Sequence, residues 1–167
     1  MAISANGIIA TETGGEDFLS HENWEKFCRL AREFGNFVVG RKTYEAVKKW
    51  DGGYNFDDLV GIEKIIISQD QNSKLDEGYT LAISPEDALA KLSKKGFEKV
   101  LITGGANINS AFAKAKLLDE IILNIEPVFI GKGIPLFAPQ DFELNLQFIS
   151  SSKSETGITT LSYFVVK

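Results

Sequence analysis

The sequence is poor in the residues that form disulfides and bind metals. It contains one cysteine, Cys28, and one histidine, His21, in 167 residues. A lone cysteine excludes an intramolecular disulfide, and no Cys/His spacing typical of a zinc site is present. We therefore expect no bound metal. Because Cys28 falls within an amphipathic helix pattern, we interpret it as a packing residue rather than a nucleophile.

Long apolar runs and an excess of positive charge are also missing. No hydrophobic stretch approaches the length of a membrane span, and the N-terminus lacks the basic segment of a signal peptide. The formal net charge of −5 argues against nucleic-acid binding, because a surface that follows phosphates carries a basic excess. We expect a cytoplasmic protein with neither a membrane nor a nucleic-acid partner.

Apolar runs alternate with helical patterns along the chain, which is long enough for one domain, residues 1–167. The clearest helix follows Ser20, a predicted N-cap, and runs until Gly35 ends it. Strict alternation at 143–150 and 159–165 is typical of antiparallel strands. Buried strands are predicted at 37–39, 64–68, 79–83 and 100–103. This order predicts an α/β fold, a mostly parallel central sheet with helices on both faces and antiparallel C-terminal strands.

Three of the predicted strands end in groups that suit a phosphate. One leads into Gly104-Gly105, where the missing Cβ lets the backbone approach a ligand, and a helix is predicted from Asn107. Another ends at Gly40 to Thr43, and a third ends at Ser68-Gln69. Because the carboxyl ends of parallel strands share one edge of the sheet, the three ends predict a nucleotide site. Gly104-Gly105 alone is also compatible with a tight turn. Neither glycine-rich turn matches a P-loop or the common dinucleotide fingerprint.

Four segments resemble the dihydrofolate reductase superfamily, which includes the reductase domain of the riboflavin-pathway deaminase-reductases. They read VGRKTYEAV at 39–47, ISQ at 67–69, ITGGANINSAF at 102–112 and DEIILNIEPVFIGKGIPLF at 119–137. The resemblance covers nearly the whole chain in matching order. It implies NADPH-dependent hydride transfer to a pteridine-like or pyrimidine-like small molecule.

The resemblance also implies roles for individual residues. The cations Arg41 and Lys42 would hold phosphates of NADPH and explain a preference over NADH, while the loop at 11–17 would close over the nicotinamide. The implied cofactor-binding residues are Ile9, Gly40, Arg41, Lys42, Thr43, Ser68, Gln69, Thr103, Gly104, Gly105, Ala106, Asn107 and Ile108. The implied substrate-binding residues are Phe27, Thr103 and Asn124.

The catalytic carboxylate is less well defined than the cofactor residues. Dihydrofolate reductases carry it near the start of the first long helix, and the resemblance places that position at or beside Asn23, which has no charge. Glu22 and Asp17 are nearby carboxylates, and both are candidates together with Asn23. Glu22 also suits the positive end of the helix dipole.

The resemblance supports more than one function. The leading expectation is reduction of 7,8-dihydrofolate to tetrahydrofolate, in one-carbon metabolism, because the GRKTYE segment resembles that branch and the DDP-x-L segment of riboflavin-type reductases is absent. The alternatives are reduction of 5-amino-6-(5-phosphoribosylamino)uracil in riboflavin biosynthesis and a nucleotide-binding module without turnover. Relatives of the two enzyme types differ in oligomeric state, so a monomer and a homodimer are both expected possibilities.

Overall fold

The computed structural model describes all residues from 1 to 167. In chain order the strands are β1 (Ala2–Ser4), β2 (Ile8–Thr11), β3 (Asn36–Gly40), β4 (Glu63–Ile67), β5 (Tyr79–Ala82), β6 (Glu120–Glu126), β7 (Gly133–Pro135), β8 (Asn145–Lys153) and β9 (Thr159–Val166). The helices are α1 (His21–Phe34), α2 (Arg41–Val47), α3 (Pro85–Lys94) and α4 (Ala106–Lys114), with a short 3-10 helix at Phe56–Asp58. No helix is both long enough and apolar enough to cross a membrane.

The chain forms two compact units, one made of residues 1–23 and 109–167 and the other of residues 24–108. The first unit contains a four-stranded sheet in the order β1-β6-β9-β8 and a two-stranded sheet of β2 and β7. Strand β1 is parallel to β6, whereas β9 is antiparallel to both β6 and β8. The predicted antiparallel C-terminal strands are therefore confirmed.

The second unit contains the parallel three-stranded sheet β3-β4-β5. Strand β3 is buried along its whole length, as its apolar run at 37–39 predicts for a strand covered on both faces. Its core includes Phe37, Val39 and Ile66, and an aromatic group around Trp24 and Phe56 packs within the same unit. Cys28 belongs to this core, and burial raises the pKa of its thiol, in agreement with a packing role.

The expected strand at 100–103 is reduced to a single bridge between Val38 and Ile102. The Val38 amide donates to the Leu101 carbonyl at 2.8 Å, and the Thr103 amide donates to the Val38 carbonyl at 2.9 Å. The next bond, from the Gly40 amide, reaches the Gly104 carbonyl rather than that of Thr103. The ladder therefore slips by one residue where Gly104 takes a φ of +88°, and the expected strand is wrong in extent.

The first turns of helices α2 and α1 contain or adjoin residues that the sequence singles out. Helix α2 begins at Arg41, so Arg41, Lys42 and Thr43 form its first turn. Helix α1 begins directly after Ser20, as predicted, and the Asn23 amide donates to the Ser20 carbonyl at 3.0 Å. The hydroxyl of Ser20, however, is buried and has no hydrogen-bond partner. Ser20 therefore does not cap the helix through its side chain.

Candidate active site

The second unit joins two of the glycine-rich strand ends that the sequence singles out. The Gly40 amide donates to the Gly104 carbonyl at 2.7 Å, and the Gly105 amide donates to the Thr43 hydroxyl at 3.1 Å. Gly40 has no room for a side chain, because a Cβ there would lie 2.7 Å from Cγ1 of Ile108. Two turns far apart in the sequence are thus held in direct contact by glycine.

The third strand end lies at the same edge of this sheet. Gly40 pairs with Ile67 in the parallel register of β3 and β4, so Arg41 and Ser68 both follow the paired residues. Ser68 is buried, and its hydroxyl accepts from the Asp70 amide at 3.2 Å and bonds the Ser73 hydroxyl at 3.0 Å. Gln69 is exposed. The structure thus brings together the three strand ends that the sequence predicts to share an edge.

Positive charge accompanies this edge at the start of α2. Arg41 donates to the Glu45 carboxylate at 2.8 Å, and both side chains are partly exposed, so the ion pair adds little to stability. Lys42 is exposed. The hydroxyl of Thr103, another predicted cofactor-binding residue, is hydrogen-bonded within the protein, because it donates to the Val38 carbonyl at 3.2 Å. Cations beside glycine-rich turns at the end of a strand are groups that suit phosphate.

The first unit contains a buried carboxylate that the sequence interpretation missed. Glu126, at the end of β6, is only 5% exposed. Its Oε1 accepts from the Ser20 amide at 2.7 Å and from Nδ2 of Asn23 at 2.6 Å. Asn23 is itself buried, and its Oδ1 has no partner, as is also true of the Ser20 hydroxyl. A buried unpaired acceptor is costly, which marks this group as unusual.

Glu126 could have been noticed in the sequence. It follows Asn124 by two residues in the apolar segment EIILNIEP, so the two side chains lie on the same face of β6. Glu126 stands at the end of this strand, beside Pro127, and is a further polar residue in a mostly apolar sequence. Asn124 is buried, and its Oδ1 accepts from the Thr160 hydroxyl at 2.9 Å, which satisfies this oxygen within the first unit.

The other candidates for the substrate side have different surroundings. The Glu22 carboxylate accepts a hydrogen bond from the Thr156 hydroxyl in the turn between β8 and β9. Asp17 is exposed in the loop before α1. Phe27 packs in the aromatic group of the second unit, with its ring centroid 5.4 Å from that of Phe37. Ile9 is buried in β2. Their predicted roles in binding and catalysis stay predictions.

Glu16, in the loop before α1, has an altered acidity. Burial raises the pKa of its carboxyl group to about 7 from the usual 4.5, because desolvation disfavours the charged form. An acid with a raised pKa in the folded state is protonated more readily there than in the unfolded chain. Its contribution to stability is therefore present below pH 4.5 and is lost as the pH rises through about 7.

We therefore predict that Glu16→Gln makes stability less dependent on pH. The variant should match the wild type at acidic pH and exceed it above pH 7 by up to about 3 kcal/mol in the free energy of unfolding. Chemical denaturation across this pH range measures the difference. Glu12→Gln, at an exposed position of the same loop, is the matched control and should follow the wild type. A constant difference at every pH would contradict the prediction.

Comparison with known proteins defines the class of this protein and then its family. The fold and the matched segments are those of dihydrofolate reductase-like reductase domains. More specifically, the RibD C-terminal domain family matches residues 1–160, and the chain belongs to that family. A relative from Bacillus subtilis (strain 168), the uncharacterised protein YwjB, is 30% identical over 82% of this chain and 79% of its own length.

Solved structures agree with this assignment. A candidate riboflavin biosynthesis protein from Shewanella sp. PV-4 is 26% identical, with a TM-score of 0.79 over 100% of this chain and 97% of that one. A deaminase/5-amino-6-(5-phosphoribosylamino)uracil reductase from Thermotoga maritima has 15% identity and a TM-score of 0.75 over 99% of this chain and 55% of that one. Dihydrofolate reductase from Enterococcus faecalis, complexed with NADP(H), has 18% identity and a TM-score of 0.72 over 99% and 94%. The last two likenesses show the fold alone, and together these results confirm the predicted superfamily and α/β fold.

Proposed function

We propose that this protein is an NADPH-dependent reductase that transfers a hydride to a substrate of the aminopyrimidine class, with 5-amino-6-(5-phosphoribosylamino)uracil as the leading candidate. The observation that carries the proposal is the match of the RibD C-terminal domain family to residues 1–160. Support also comes from the Thermotoga maritima protein, whose name includes this reductase activity.

The cofactor part of the proposal is supported by the second unit. The turns at Gly40 and Gly104 are joined by a backbone hydrogen bond, and there is no room for a side chain at Gly40. Arg41 and Lys42 add positive charge at the same strand ends. This combination of amides, small residues and cations fits the phosphates of NADPH. In the proposal the residues from Gly40 to Thr43 and from Thr103 to Ile108 hold these phosphates, and Ser68 and Gln69 lie near the 2′-phosphate. NADPH, when bound, supplies the hydride.

Dihydrofolate is the second candidate substrate, since the fold is shared with dihydrofolate reductase. The comparisons give it no further support as the substrate. The resemblance places the helix position that carries the carboxylate in dihydrofolate reductases at or beside Asn23, whose side-chain amide donates to Glu126. An amide cannot supply the negative charge that favours a protonated pterin. We therefore place the aminopyrimidine ahead of dihydrofolate.

The two substrates can be compared in one assay. Purified protein is mixed with NADPH and with either 5-amino-6-(5-phosphoribosylamino)uracil or 7,8-dihydrofolate, and the loss of the reduced nicotinamide absorbance is followed. We expect turnover with the aminopyrimidine and a much lower kcat/KM with dihydrofolate. Binding of NADPH without reduction of either substrate would instead favour a nucleotide-binding module.

Arg41→Ala should weaken the binding of NADPH about tenfold or more and leave the binding of NADH little changed, because a charged hydrogen bond to phosphate is lost. Titration of each cofactor against the quenching of tryptophan fluorescence measures both dissociation constants. Glu45→Ala is the matched control, because it removes the partner of Arg41 but keeps the cation. Equal losses for NADPH and NADH would contradict recognition of the 2′-phosphate by Arg41.

A further inference from the structure

The buried carboxylate of Glu126 has no role in the function described so far. It lies at the end of β6, pairs in register with Ser4 of β1, and is almost fully buried. Burying a charged group is costly unless it is paired or bonded. The Ser20 amide and Nδ2 of Asn23 both donate to the same oxygen of Glu126, Oε1.

The orientation of the Asn23 side chain follows from this contact. A carboxylate oxygen only accepts hydrogen bonds, so the amide group must turn its Nδ2 toward Glu126. Its Oδ1 is then directed away from the carboxylate, and it has no partner even though Asn23 is only 6% exposed. The Ser20 hydroxyl is buried without a partner as well. Two unsatisfied oxygens beside one buried carboxylate make up an acceptor-rich group of Ser20, Asn23 and Glu126.

We propose that the group formed by Ser20, Asn23 and Glu126 binds the N–H-bearing edge of the substrate heterocycle, with the strand residue Glu126 supplying the carboxylate that position 23 lacks. The proposal rests on the proposed function for the identity of the substrate. An aminopyrimidine presents ring N–H and amino groups along one edge, and these donors match the unpaired oxygens of Asn23 and Ser20. Compared with dihydrofolate reductases, the carboxylate then lies on strand β6 instead of helix α1. The side-chain amide of Asn23, on helix α1, donates a hydrogen bond to it.

The hydroxyl of Ser20 offers the sharpest test, because its removal has opposite consequences for folding and for binding. Ser20→Ala deletes a buried group that has no partner within the protein, so thermal stability should stay equal or rise. The same change should weaken the binding of 5,6-diaminouracil about threefold to tenfold, since one hydrogen bond to the ligand is lost. Calorimetric titration with 5,6-diaminouracil, a minimal aminopyrimidine, measures the affinity.

Exchanging the two side chains tests the role of the charge. Glu126→Gln should weaken 5,6-diaminouracil about tenfold or more, and Asn23→Asp should do the same, because it places two carboxylates at the distance of the present hydrogen bond. The double variant Asn23→Asp/Glu126→Gln restores one carboxylate and one amide, so it should bind more tightly than either single variant. If the contact had only a structural role, the double variant would also recover its stability. The affinity for 5,6-diaminouracil therefore separates a structural role from a role in binding.

The outcomes distinguish this proposal from the proposed function. Titration of NADPH serves as the check on folding, because its implied phosphate residues lie in residues 24–108. One outcome overturns the proposal for Ser20, Asn23 and Glu126 but leaves the proposed function intact. In it the wild type reduces the aminopyrimidine, and Ser20→Ala and Glu126→Gln bind 5,6-diaminouracil as tightly as the wild type. If 5,6-diaminouracil binds and both variants weaken it, the proposal stands even where no reduction is observed. Should Glu126→Gln fail to fold, an unchanged affinity in Ser20→Ala alone overturns the proposal.

Discussion

Gly133→Ala is expected to lower the free energy of unfolding by about 2 to 3 kcal/mol, because the added methyl group has no space. Gly133 pairs with Thr11 where β7 meets β2. A Cβ at this position would overlap the Ala10 carbonyl oxygen and lie 2.5 Å from Cγ2 of Ile8. The backbone oxygen cannot turn away as a flexible side chain would, so β2 and β7 must separate. Chemical denaturation of the variant and the wild type measures the change.

Gly131 provides the matched control for this substitution. It belongs to the same GKG segment, but a Cβ there would meet nothing within 4 Å. Gly131→Ala should therefore change stability by less than about 0.5 kcal/mol. Equal effects of the two substitutions would contradict the close approach of β7 to the β2 backbone.

Gly40→Ala is expected to weaken NADPH binding about tenfold or more and to destabilise the protein by about 1 to 3 kcal/mol. The φ of Gly40, −77°, suits any residue, so the penalty comes from space and not from the backbone. The new methyl group would lie 2.7 Å from Cγ1 of Ile108 and push the turn at Gly104 away from β3. Fluorescence titration with NADPH and thermal denaturation measure the two effects.

A second substitution can restore the lost space. Ile108→Ala removes Cγ1, so the double variant Gly40→Ala/Ile108→Ala should bind NADPH more tightly than Gly40→Ala alone. The comparison forms a double-mutant cycle in which the coupling between the two positions is favourable. Purely additive losses would mean that Gly40 matters for another reason.

The sequence predicts the regular elements well where one local signal dominates. Helix α1 follows from apolar residues spaced by three and four, with Gly35 at a φ of +69° ending it. Strands β3 and β4 follow from short apolar runs, and the edge where they end is confirmed as the place where the Gly40 and Gly104 turns meet. These features depend on near neighbours in the chain.

The features that depend on distant neighbours could not be predicted. Nothing near Ser20 in the sequence shows that its amide meets Glu126, a contact across 106 positions. The slip of the ladder at Gly104 also depends on β3, which lies far away in the chain. The sequence offers Asp17, Glu22 and Asn23 as candidates for the catalytic side, whereas the buried carboxylate of Glu126 belongs to a strand.

The same limit explains the order of the candidate substrates. The segment GRKTYE underlies the expectation of dihydrofolate, but the proposed function assigns this segment to the cofactor and not to the substrate. In our proposal the substrate side depends on contacts such as that between Asn23 and Glu126. A motif that the proposal assigns to the cofactor therefore carries little information about the second reactant.

Transfer of a hydride from the cofactor is the central claim, and isotopic labelling tests it most directly. The protein is incubated with 5-amino-6-(5-phosphoribosylamino)uracil and with NADPH that carries deuterium in both positions at C4 of the nicotinamide ring, and the product is analysed by mass spectrometry. We predict a reduced aminopyrimidine that contains one deuterium atom, with NADP⁺ formed in equal amount. A reduced product without deuterium, or no reduced product in the presence of bound NADPH, would contradict the proposed function.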